Sequence, residues 1–95
     1  MLENKWSDWL DCNQQVLLEI PEKPGVYMMH AAIKILLIEG SHNMKKSISE
    51  ALEQKCVSKA TRIRFREEEN FEEIRKELIT DYKKRHEGNI PQCMN

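Results

Sequence analysis

Lys45 and Lys46 open a helical stretch and follow Ser41, His42 and Asn43. Cations beside the free N–H groups of a helix start make an anion site. A histidine in the loop before that helix can act as a base or as a phosphate contact, or simply be a solvated loop residue. Arg62, Arg64 and Arg66 alternate with Ile63 and Phe65, so three guanidinium groups share one strand face. They can follow a phosphate backbone, or pair with Glu67, Glu68, Glu69 and the helix carboxylates. Tyr27 can assist a nucleophile by handling a proton, or pack with its hydroxyl satisfied. His30 and His86 have no partner in the sequence and read as surface residues. The chemistry these types suggest is recognition of phosphate.

The whole-chain charge sets a limit on that reading. Lys and Arg total 15 against 16 Asp and Glu, a net charge of −1. A protein that grips nucleic acid through many phosphates carries a positive excess. The chain is 40% hydrophobic and 33% charged over 95 residues, which suits one globular domain with one small core. Its three cysteines, Cys12, Cys56 and Cys93, form no CxxC pair. Reduced thiols in a cytoplasmic or other reducing intracellular setting are therefore expected, without a disulfide or zinc. The N-terminus lacks a signal-peptide apolar region, and residues 33–38 are too short to span a bilayer. No membrane association is expected.

The periodicities place these residues on elements. Leu2, Trp6, Trp9 and Leu10 line one helical face, predicting a short helix within residues 2–12. Residues 13–23 read as a connector, because Pro21 and Pro24 stop a helix. Pro24-Gly25 launches a strand over residues 26–30, with a turn at residues 30–32. The return strand, residues 33–38, is apolar on both faces and is expected at the centre of its sheet. Asn43 or Ser41 caps an amphipathic helix over residues 44–55. Residues 61–66 form a half-buried strand. Asn70 and Glu73 make a capping box for a last helix carrying Phe71, Ile74, Leu78 and Tyr82. Gly88 and Pro91 end it, and residues 92–95 are a frayed tail. The expected class is α+β, helix-strand-strand-helix-strand-helix, with a three-stranded antiparallel sheet flanked by helices. Residues 1–19 form an extension and connector, 20–89 the core, and 90–95 the tail of a single domain.

This order resembles the GIY-YIG nuclease family over Ile20 to Asn89. Pro24-Gly25-Val26-Tyr27 is similar to the GIY element. Leu37-Ile38-Glu39-Gly40-Ser41-His42-Asn43-Met44 falls where the family has Tyr-Ile-Gly-x-Ser/Thr-x-Asn-Leu. Leu78-Ile79-x-x-Tyr82 followed by Asn89 resembles the last helix and its ending. The resemblance implies a GIY-YIG-like fold. It also implies phosphodiester cleavage by two tyrosines, an arginine, and a glutamate holding a divalent metal. At the matching positions Tyr27 keeps the first tyrosine, but Leu37 replaces the second. Glu39 replaces the YIG glycine, Ser47 the arginine, and Arg75 the metal-binding glutamate. Glu73 and Glu77 are offset by two residues, about 200° around a helix.

The leading expectation is a non-catalytic derivative of that nuclease fold. It would bind nucleic acid or a protein partner through Tyr27, His42, Lys45, Lys46 and Arg75, with no cofactor. A diverged endonuclease is the second reading, with Tyr27 as catalytic residue and Mg or Mn as cofactor. The third is a pure interaction module using the Trp pair or the arginine strand.

Overall fold

The computed structural model describes residues 6–94. Among them the chain is α+β, with a four-stranded antiparallel sheet in the order β1-β4-β2-β3. In chain order the elements are β1 (Leu10–Asp11), α1 (Gln14–Glu19), β2 (Gly25–Ala31), β3 (Lys34–Ser41), α2 (Met44–Ala51), β4 (Arg62–Glu67) and α3 (Phe71–Arg85). Two 3-10 turns, Val57–Lys59 and Gln92–Met94, follow α2 and α3 respectively, the first before β4.

The predicted N-terminal helix is the first correction. Leu2 lies outside the described residues, while Trp6, Trp9 and Leu10 belong to an extended arm. The arm runs along β4: Ser7 N–H donates to Phe65 C=O at 2.9 Å, and Cys12 N–H to Thr61 C=O at 3.0 Å. The outer edge of β4 has backbone groups that need partners, and an extended arm supplies them where a helix cannot. The sheet therefore has four strands where three were expected. The connector also contains a helix: Asn13 caps α1 by accepting from Val16 N–H at 2.9 Å. The α1 helix stops at Ile20, whose extended backbone is what Pro21 demands.

A third correction concerns β3. Its residues are apolar on both faces, yet β3 is an edge strand and β2 lies inside. Burial on two faces requires cover above and below, not a neighbour on each side. The α3 helix and the Gln92–Met94 turn supply that cover, and Ile38 N–H meets Met94 Sδ at 3.5 Å on the outer edge. The β2–β3 turn is also tighter than expected. It uses Ala32 and Ile33, with Ala32 at φ 55 and Ile33 96% exposed.

The α2 cap is seen: Asn43 Oδ1 accepts from Lys46 N–H at 3.1 Å. The capping box at α3 is not. Asn70 occupies the N-cap position but makes no side-chain bond to the helix backbone, and its amide instead reaches Glu73 at 3.4 Å.

One face of the sheet carries Tyr27, Met29, Leu37 and Ile63 against Ile20, Met44, Ile48 and Val57, all buried. Gly25 sits where β2 passes Arg66 C=O and Met44 Sδ, with no room for a side chain.

The thiol expectation is overturned at two positions. Cys56 and Cys93 form a disulfide, with Cα atoms 5.7 Å apart and a sequence separation of 37. Spacing rules read neighbours in sequence, whereas here the fold brings the end of α2 to the C-terminal turn. Cys12 is a free thiol. Among the described residues no helix is long and apolar enough to cross a membrane.

Candidate functional site

Strand alternation puts Tyr27 on β2 and Leu37 and Glu39 on β3 on the same face, with Tyr27 directly opposite Glu39. Ser47 and Glu50 face them from α2, and Arg75 from α3. Cys93 and Met94 close the far wall. Together these groups line a cleft of about 280 Å³. A second hollow of about 470 Å³ adjoins it and shares Ser47 and Glu50. It adds His42, Lys46 and Phe71 beside the start of α2.

Tyr27 is buried, and its hydroxyl lies 2.7 Å from Ser47 Oγ. Burial pushes its pKa up to about 12; the Ser47 hydrogen bond pulls the other way, and the Glu39 and Glu50 charges add to the rise. Such a phenol is a proton holder at neutral pH. The native state keeps this proton between pH 10 and about 12, where the unfolded chain releases it. Stability should therefore be unaffected at pH 7 and fall by about 2–3 kcal/mol as pH rises through that window. Denaturation series at pH 9 and pH 12 on wild type and Tyr27→Phe measure this. The variant should lose less stability between those pH values, and equal losses would refute the assignment.

Arg75 Nε lies 2.6 Å from Glu39 Oε1, both side chains being about one-third exposed. The Nε–H has no aligned acceptor, so the contact is mainly Coulombic. The same carboxylate oxygen accepts from Gly40 N–H at 3.1 Å. These two residues lie far apart in the sequence, and in space they neutralise each other. The guanidinium of Arg75 beside Glu39 disfavours a divalent metal at this point of the cleft. Glu39 is held by a guanidinium, and no group of three or more His, Cys, Asp or Glu among the described residues could hold an ion.

The other candidate residues are divided. His42 packs edge-on against Phe71, with centroids 4.8 Å apart. Lys46 lines the second hollow with it. Lys45 is directed elsewhere: its Nζ donates to Leu18 C=O at 3.0 Å and ties α2 to α1. The arginine strand is internally occupied. Arg62 pairs with Asp11 at 3.4 Å, and Arg66 with Glu68 at 2.8 Å. Arg64 lies over Trp6 and Trp9, at 4.6 and 4.7 Å from their ring centroids. Burial lowers the Arg64 pKa.

Three parts of this site were not foreseen: the Ser47 partner of Tyr27, the Glu39–Arg75 pair, and the C-terminal wall. The opposite charges of Glu39 and Arg75, at positions aligned only by the resemblance, were the one signal available for the pair. The wall had no signal, because residues 92–95 carry no periodicity. Compared with known proteins, the chain matches no family model, no curated protein and no solved structure.

Proposed function

We propose that this domain is a GIY-YIG-like fold that has lost catalysis and serves as a binding module for a protein partner, with the cleft at Tyr27 as its recognition surface. The observation that carries this reading is convergence. Tyr27, Leu37, Ser47 and Arg75, the four positions matched to the family's catalytic set, all line one cleft. Of the four, only Tyr27 retains a group of the required type, and it is buried on a serine hydroxyl. Leucine moves no proton, serine offers no cation, and arginine repels a metal ion. With Arg75 already paired to Glu39, a phosphodiester finds no uncompensated cation and no Lewis acid there.

A protein partner is preferred to nucleic acid because five of the six cations singled out in the sequence, all but Lys46, are engaged within the chain. Arg62, Arg66 and Arg75 hold carboxylates, Arg64 lies between tryptophans, and Lys45 holds a carbonyl. Plasmid DNA incubated with the protein and magnesium or manganese should show no nicking above buffer. Nicking that disappears in Tyr27→Phe would restore the endonuclease reading. DNA binding measured at two salt concentrations should be negligible at both. Tight binding that weakens steeply with salt would move the role to nucleic acid, with Lys46 and His42 as its first contacts.

A further inference from the structure

The C-terminal turn does two things at once. It covers the outer edge of β3, where Ile38 N–H meets Met94 Sδ, and its Cys93 and Met94 wall the cleft. Two attachments hold it there. Pro91 is fully buried, and Cys93 is bonded to Cys56 beside the turn that carries the fully buried Val57.

We propose that residues 91–94 are a redox-controlled strap, locked over the β3 edge and the cleft by the Cys56–Cys93 disulfide and freed when that bond is reduced. The geometry separates two modes of opening. With the bond intact, lifting the strap drags on Cys56 and the adjoining Val57, which is core, so opening is coupled to disruption of the domain. With the bond broken, the strap is held by non-covalent packing alone: buried Pro91, and Cys93 and Met94 against β3 and the core. The strap joins the body through the segment after α3, which ends at Arg85 and is capped by Gly88 at φ 87, whose N–H donates to Lys83 C=O at 2.8 Å, so the pivot lies between that cap and Pro91. The strap then opens locally, in the manner of a low-stability segment on a stable body.

The chemistry is thiol–disulfide exchange with an external dithiol. One of its thiolates attacks one sulfur of the bridge and breaks the Cys56–Cys93 bond, giving a mixed disulfide. Its second thiolate resolves that intermediate. The bridge gains two electrons and two protons and becomes two thiols, while the dithiol becomes a disulfide. Cys56 and Cys93 are both half-buried residues, and Cys93 lines the open cleft from which a dithiol can approach. The strap does not depend on the lineage of the fold or on its partner, and the two can fail separately.

The test is residue-resolved amide hydrogen exchange on the full chain, oxidised and then reduced with dithiothreitol, with Cys93→Ser as a second open form. The exchange rate of Ile38 is compared with that of Met29, which lies on the central strand. On reduction the Ile38/Met29 rate ratio should rise at least tenfold, and Cys93→Ser should show the raised ratio without reductant. An unchanged ratio overturns the proposal, whether the domain stays closed or unfolds as a whole. Thiol titration showing Cys56 and Cys93 unbridged after mild oxidation also overturns it.

Discussion

Gly25→Ala should cost about 3 kcal/mol of stability and lower the melting temperature by roughly 10–20 °C. Gly25 opens β2 and pairs on both sides, with Ser41 and with Glu67. A Cβ built there would stand 2.3 Å from Arg66 C=O and 2.5 Å from Met44 Sδ. The sulfur belongs to a flexible side chain and can retreat into another rotamer. The carbonyl belongs to β4 and can move only with its strand. Gly40→Ala is the internal control. Its Cβ would lie 2.9 Å from Phe71 Cδ1 and 3.3 Å from Phe71 C=O, so a tilt of the ring and a small shift of α3 relieve it, at about 1 kcal/mol. Urea midpoints for the two variants should rank in that order. If Gly25→Ala melts with the wild type, β2 and β4 do not approach as described.

Loss of the disulfide is the second large effect. Cys56 and Cys93 are 37 residues apart in sequence. Closing a loop of that length removes chain entropy from the unfolded state worth about 4 kcal/mol. The double variant Cys56→Ser, Cys93→Ser should therefore unfold at a clearly lower denaturant concentration than the oxidised wild type. It should match the reduced wild type to within about 1 kcal/mol, the scale of a conservative swap at half-buried positions. Denaturation monitored by far-UV circular dichroism compares all three forms. If oxidised and reduced wild type have the same midpoint, the bridge does not constrain the unfolded chain.

Legibility in the sequence followed the range of the interaction. The α2 and α3 helices and the β2 and β4 strands were readable because their patterns are local. Ile63 and Phe65 alternate with arginines, and Met44, Ile48 and Ala51 recur at the helical period. Two assignments failed where a distant segment supplied the decisive contact. Trp6, Trp9 and Leu10 have helical spacing, but the edge of β4 recruits them into an extended arm. Residues 33–38 look central because they are apolar throughout, but α3 and the C-terminal turn cover an edge strand equally well. Of the residues that line the cleft and the adjoining hollow, Tyr27, Lys46 and His42 were singled out in the sequence from their neighbours, and Arg75 only through the family resemblance. The hydrogen bond from Tyr27 to Ser47 joins residues 20 positions apart, beyond the reach of any local pattern.

The packing of the N-terminal arm has a consequence for how this protein can be watched. Its only two tryptophans, Trp6 and Trp9, both sit on the arm and against Arg64, with Trp9 also touching the His30 ring at 4.1 Å. The buried cluster around Met29 and Ile48 contains no tryptophan. Intrinsic fluorescence therefore reports whether the arm is docked, and circular dichroism reports the helices. An arm that detaches before the body melts gives two transitions from one two-state core, and the lag between the signals measures how tightly the fourth strand is held.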